Sequence, residues 1–243
     1  MKTIMILKKY SSSVSLLLFM LIFTTCVHAQ SNAVTGAWEL RDGDEQHQLL
    51  FQDGFYFHTA YQGNRFISSQ GGTYEIKDNT LKAKVLFNTS DSTSVGTGMD
   101  VPFTVSGSRL SIQLWDGKIS FDRTDDSKTP LAGVWHITGR MAEDGKMAAI
   151  HQTGTRQTYK VLTGTRFQWV AIDPGKKQFS GTGGGTYTFK DGKYTEHIKF
   201  FSRDSSRVGA ALTFDAKLED GNWNHSGLSS KGAKIHEIWS RVK

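Results

Sequence analysis

Three side chains in the C-terminal half could do chemistry: Glu196, His225 and Glu237. A glutamate beside a histidine can act as a general base, with burial raising the carboxyl pKa toward working pH. Two carboxylates facing each other across a cavity can serve as acid and base, as in glycoside cleavage. Two Glu and one His can hold a divalent metal. The spacing along the chain is diagnostic of none of these. The sequence has neither a His-Glu-x-x-His nor a Gly-x-Ser-x-Gly. What draws the three together is where the elements carrying them must point.

Those elements are strands. Apolar and polar residues alternate in short runs: Phe55-Tyr56-Phe57, Tyr74-Glu75-Ile76, Leu110-Ser111-Ile112, Tyr187-Thr188-Phe189 and Ile235-His236-Glu237-Ile238-Trp239. Period two describes a strand with one buried face. Turn signals separate the runs, among them Asp53-Gly54, Asp78-Asn79, Ser106-Gly107, Asp116-Gly117, Asp144-Gly145, Asp191-Gly192 and Asp220-Gly221. No long helical period interrupts them, which predicts an all-β barrel or sandwich.

The two halves of the chain repeat. Gly36-Ala37-Trp38 opens the first and Gly133-Val134-Trp135 the second. Gly71-Gly72-Thr73-Tyr74 matches Gly184-Gly185-Thr186-Tyr187, and Phe121-x-Arg123 matches Trp239-x-Arg241. Dispersed matches in one order indicate duplication. The second copy carries about 15 extra residues near 139–158, which predicts a longer hairpin there. The domains are expected at 30–127 and 131–243, joined by a linker around Asp125-Asp126-Ser127-Lys128-Thr129-Pro130.

A Gly-x-Trp on the first strand with an Arg on the last resembles the lipocalin and calycin barrels. In the second half, Tyr159-Lys160-Val161-Leu162-Thr163-Gly164, Phe167-Gln168-Trp169-Val170, Tyr194-Thr195-Glu196-His197 and Glu237-x-Trp239-x-Arg241 are similar to a secreted bacterial lipocalin-like family of unknown function. The resemblance implies two tandem lipocalin-like antiparallel barrels and export, with no established activity. It also implies two closures, Arg123 over Trp38 and Arg241 over Trp135, each a cation–π contact with the Arg bonding backbone carbonyls. One continuous barrel built from both halves is the alternative architecture.

Aligning the copies places the polar residues. Leu81, Ala83, Val85 and Phe87 alternate with Lys82 and Lys84, so the apolar set faces inward. The matched set is Tyr194, Glu196, Ile198 and Phe200. Leu110 and Ile112 match Trp223 and His225, and Ile119 and Phe121 match Glu237 and Trp239. Buried charges persist only with partners. One explanation is a structural network in which Glu196 or Glu237 pairs with Arg241. The other is a cavity in the second barrel, with Trp169, Tyr194, Glu196, Trp223, His225, Glu237 and Arg241 as ligand-binding residues. The first barrel is then mainly structural or an interface. Among weaker candidates, Tyr159 and Gln168 edge the cavity, and His197 faces solvent. Glu45 and His47 fall in a polar stretch read as a loop. Gly181-Thr182-Gly183-Gly184-Gly185 leads into a strand with no helix after it. It is therefore a hairpin or bulge rather than a phosphate cradle.

The first 29 residues read as a secretory signal peptide: Lys2, Lys8 and Lys9, then an apolar run from Val14 to Phe23, then Val27-His28-Ala29. The only cysteine, Cys26, lies in this segment and follows Phe23-Thr24-Thr25, a poor lipid-anchor signal. Cleavage after Ala29 leaves a chain without thiols, which excludes disulfides and cysteine chemistry. Its charge is uneven. Residues 30–130 carry net −4 and residues 131–243 net +7. Opposite signs favour docking of the halves, or the basic second half favours anionic ligands. The dispersed basic residues form no aromatic–basic platform, so nucleic acid is not expected as a partner. No transmembrane segment is expected in the mature chain, and no cofactor is implied. The expected function is binding of a small apolar or amphipathic molecule in the second barrel. The alternative is an enzyme (hydrolase, lyase or isomerase) using Glu196, His225 and Glu237.

Overall fold

The computed structural model describes residues 33–242. The signal-peptide reading and Cys26 fall outside the described residues. Eight strands form the first half: β1 (Gly36–Asp42), β2 (Glu45–Gln52), β3 (Phe55–Gln62), β4 (Arg65–Lys77), β5 (Thr80–Asn88), β6 (Gly98–Ser106), β7 (Arg109–Leu114) and β8 (Gly117–Asp125). Each pairs antiparallel with the next, and β8 returns to β1, closing the barrel. The second half has β9 (Gly133–Met141), β10 (Met147–Ala149), β11 (Gln157–Leu162), β12 (Arg166–Asp173), β13 (Gln178–Lys190), β14 (Lys193–Phe201), β15 (Ala211–Glu219), β16 (Asn222–Leu228) and β17 (Lys234–Arg241). Here β17 pairs with β9 and closes an eight-strand barrel. The short β10 is added at the edge of β9, where the second copy has its extra residues. Both halves are thus lipocalin-like up-and-down barrels, and the only free edge that closure leaves among the described residues is that of the short β10.

The turn dipeptides supply the chirality that tight hairpins need. Asp53-Gly54, Asp78-Asn79, Asp191-Gly192 and Asp220-Gly221 all have positive φ at both residues, as type I′ turns require. The Gly-Gly-Thr-Tyr repeat makes a bulge. The register shifts between Gly71 and Gly72 on β4 and between Gly184 and Gly185 on β13. A Cβ on Gly72 would lie 1.8 Å from the Lys84 carbonyl oxygen, and one on Gly185 2.1 Å from that of His197. Only glycine admits this approach, which bends the strand around the barrel.

Three apolar cores result. One lines the first barrel, one fills the second, and a third lies between them. The third joins Leu50, Phe55, Phe57 and Phe87 of the first barrel to Val134, Val161, Val170 and Ile172 of the second. Polar contacts surround it. Arg166 Nε donates to Glu39 Oε1 at 2.6 Å. Gln168 Nε2 donates to Ser69 Oγ at 3.0 Å and Thr182 Oγ1 at 3.1 Å. Asp125, the last residue of β8, accepts from Gly164 N at 2.9 Å, Thr165 N at 2.8 Å and Thr163 Oγ1 at 2.8 Å. The linker is therefore clamped onto the second barrel. Tyr159 and Gln168, expected to edge a cavity, belong to this junction. Phe87 and Phe200, expected to face inward, turn to this junction at the far ends of their strands, Phe87 stacked on Phe179 and Phe200 tilted 5.3 Å from Tyr61.

Candidate functional site

The closed ends are alike. In the first barrel Arg123 lies 3.9 Å from the Trp38 ring centroid, and its Nη1 donates to the Thr35 carbonyl at 2.7 Å. In the second, Arg241 lies 4.3 Å from Trp135, and its Nη1 donates to the Ala132 carbonyl at 2.7 Å. Each tryptophan donates its Nε1 to a carbonyl four residues back, Val34 or Leu131. Arg241 is thus a closure rather than the partner of an interior glutamate.

The interiors differ. In the second barrel the aligned residues meet as the copies predicted. Trp223 is registered with Trp239 and His225 with Glu237, just as Leu110 is with Phe121 and Ile112 with Ile119. Two cations complete the cluster. Lys160 Nζ donates to Glu196 Oε1 at 2.9 Å, and Arg140 Nη2 to Glu237 Oε1 at 2.7 Å. Lys160 also lies 5.0 to 5.4 Å from the ring centroids of Tyr194, Trp223 and Trp239, within cation–π range. Trp239 Nε1 donates to Glu237 Oε2 at 3.1 Å, and His225 Nδ1 stands 3.5 Å from the same oxygen. Burial raises the Glu237 pKa, but His225 and the Lys160 ammonium outweigh it and hold the carboxyl at about 2. Burial and the Lys160 charge push His225 down, toward the neutral imidazole.

This cluster is tightly packed. Lys160, Glu196, His225 and Glu237 are 4%, 5%, 2% and 7% exposed, and Tyr194 and Trp223 are fully buried. Trp169 stands apart on β12, its ring 5.5 Å from Phe201. Among the described residues no three His, Cys, Asp or Glu side chains gather to hold a metal, so the two-Glu-one-His chelate does not assemble. Lys160 was missed in the sequence, yet the same comparison exposes it. Lys160 pairs with Trp135 where Leu49 pairs with Trp38.

The first barrel has smaller groups at the matched places: Leu49, Leu81, Ala83, Leu110 and Ile112 instead of Lys160, Tyr194, Glu196, Trp223 and His225. It holds a cavity of about 470 Å³, within the usual range for small-molecule sites. Its wall is largely apolar, with Leu49, Phe51, Leu81, Ala83, Val101 and Ile112 contributing. The mouth lies at the β1–β2 and β7–β8 hairpins, where Arg41, Asp42 and Lys118 line it. Trp115, at the tip of the second hairpin, is 96% exposed. The rest of the polar lining is His47, Tyr56, His58, Gln70, Tyr74 and Ser120, with Tyr56 registered on Phe51 toward the closed end.

Glu45 and His47 are not in a loop; they begin β2, and His47 lines the cavity. The polar run Asp42–His47 includes only a tight turn, because β1 and β2 continue through it, pairing Asp42 with Glu45. His47 Nδ1 is 3.0 Å from His58 Nε2, and its Nε2 is 3.3 Å from Glu45 Oε1. Burial first, and then mutual repulsion when both imidazoles are protonated, lower His58 to about 4. His197 is exposed, as expected. A second cavity of about 350 Å³ lies between the barrels beside Glu39, Tyr61, Arg166 and Lys199, where Arg166 and Glu39 are already paired.

Among the described residues no helix is long and apolar enough to cross a membrane. No curated protein matches the sequence. The chain is similar to a lipocalin-like protein from Bacteroides uniformis, at 14% identity over 46% of this chain and 98% of that one, with a TM-score of 0.34. Residues 130–243 match the profile of a domain of unknown function, DUF4488, so the second barrel carries the family likeness and the first barrel carries the cavity.

Proposed function

We propose that this is an exported binding protein for a small, mostly apolar molecule, and that the ligand enters the first barrel. The observation that carries this reading is the apolar cavity of about 470 Å³ with its mouth at two hairpins. Enclosed apolar surface with a few polar groups is the usual composition of a ligand site. The ligand site expected in the second barrel shifts to the first because Lys160 and Arg140 neutralise Glu196 and Glu237 in a packed interior. We read that cluster as the structural core of a supporting barrel. Catalysis by Glu196, His225 and Glu237 would require a substrate to reach side chains at most 7% exposed.

The test is uptake of N-phenyl-1-naphthylamine, a neutral apolar fluorophore, by the folded chain. Ala83 lines the cavity and is nearly buried, so Ala83→Trp fills it. Binding is expected in the parent and at least a tenfold loss in Ala83→Trp. Equal binding by both proteins, or none by the parent, refutes the reading.

A further inference from the structure

The polar lining of the cavity points to the kind of molecule it takes. Tyr56 and His58 are two residues apart on β3, and both line the cavity. The Tyr56 hydroxyl is buried and has no hydrogen-bond partner. Burial pushes its pKa up, so it stays a phenol, whose O–H offers a donor.

The state of His58 follows from its neighbours. Glu45 Oε1 sits 3.3 Å from His47 Nε2. A carboxylate only accepts, so that nitrogen carries the proton, and with a single proton on the ring His47 has a bare Nδ1. The bare Nδ1 accepts from His58 Nε2–H across 3.0 Å. His58 is left with a lone pair on Nδ1, for which no partner exists among the described residues. The carboxylate at the mouth therefore sets both tautomers and leaves an acceptor inside. The fixed charges of the wall, Arg41, Asp42 and Lys118, all lie at the mouth. The polar groups Tyr56, His58, Gln70 and Tyr74 are neutral. An ionised head placed among them would be a buried charge without a counter-ion, which is costly.

We propose that the cavity selects an uncharged amphipathic molecule whose buried end carries a hydrogen-bond donor and an acceptor, as an amide or an alcohol does. His58 Nδ1 receives the donor and the Tyr56 hydroxyl the acceptor, while the apolar body lies along Leu49, Leu81, Val101 and Ile112. This rests on the ligand site being in the first barrel.

The experiment is displacement of N-phenyl-1-naphthylamine by molecules sharing one chain: decanamide, 1-decanol, decanoate and decane, at pH 7. Decanamide and 1-decanol should bind most tightly. In Tyr56→Phe, and separately in His58→Leu, their preference over decane should fall roughly tenfold, the worth of one well-placed hydrogen bond. Thermal melts of each variant check that the barrel is intact. If decanoate binds tightest and both variants leave the order unchanged, the head sits at the mouth with Arg41 and Lys118, and the proposal is overturned. The same follows if the four probes bind equally, although the ligand site itself then stands. Failure of the fluorophore to bind the parent would remove the site and this inference together.

Discussion

Replacing Lys160 by methionine tests whether the second barrel's interior is a closed structural core. Lys160 is 4% exposed and Glu196 5%, and their 2.9 Å contact is the only ion pair that either makes among the described residues. Methionine keeps the aliphatic stem among Tyr194, Trp223 and Trp239 while removing the charge. Glu196 is then a buried carboxylate with no cation, and breaking such a pair from one side costs about 3–5 kcal/mol. With the two clamped barrels unfolding as one unit, each kcal/mol moves Tm by roughly 2–4 °C, so the midpoint should fall by about 6–20 °C. The double variant Lys160→Met/Glu196→Leu removes both charges and should recover most of the loss, because a buried pair is worth little against apolar groups of similar volume. Urea and thermal unfolding of the parent, both single variants and the double variant complete the cycle. A Lys160→Met protein within about 1 kcal/mol of the parent, or a double variant no better than the worse single one, would show that the two charges do not depend on each other.

Acid should destabilise the protein in two separable windows. His58 is lowered to about 4, so the unfolded chain binds more protons than the folded one between pH 6.5 and 4. This contribution, at most about 3 kcal/mol, is complete above pH 6.5 and is lost as pH falls toward 4. His225 adds to the same window, since its pKa is also lowered. Glu237, held at about 2, adds stability that is lost between pH 4.5 and 2. Urea midpoints measured across pH should show His58→Phe flattening the upper window alone; an unchanged profile would remove His58 as its source. For export, protein recovered from its host should begin at Gln30 by N-terminal sequencing, and an intact Met1 would refute the signal-peptide reading.

Much of the architecture was legible because the chain states it twice. The inward facing of Glu196, His225 and Glu237 followed from Ala83, Ile112 and Ile119 at the matched places, and strand register bears out each match. Where the cavity lies was not legible in the same way. Polar residues inside a barrel suggested a ligand, but size decides whether a barrel is hollow. Tyr194 for Leu81, Glu196 for Ala83 and Trp223 for Leu110 each add volume, and Lys160 and Arg140 supply the missing cations. A cation on a neighbouring strand is visible only when pairing is known, which is why Lys160 escaped notice. His58 escaped for the opposite reason. It stands in an apolar run, and its partner His47 lies in a polar one, so only the β2–β3 pairing joins them.

The two copies have diverged in complementary directions. A barrel with a ligand-sized cavity gives up interior packing, and its lining atoms lose the dispersion contacts that stabilise a filled core. The first barrel recovers contact on its outer surface. Leu50, Phe55, Phe57 and Phe87 pack on Val134, Val161, Val170 and Ile172, while Glu39, Ser69 and Asp125 hold Arg166, Gln168 and Thr163–Thr165 of the second barrel. The second barrel can offer this surface because its own interior is filled by large aromatics and paired charges. The split in net charge fits the same division, since the acidic first copy meets the basic second one at Glu39 and Arg166. Duplication therefore separates two demands that oppose each other within one barrel, an open interior and a rigid wall around it. The face of β2–β5 that backs the cavity is the face clamped by the second barrel, so the walls carrying His47, Tyr56 and His58 are held from outside.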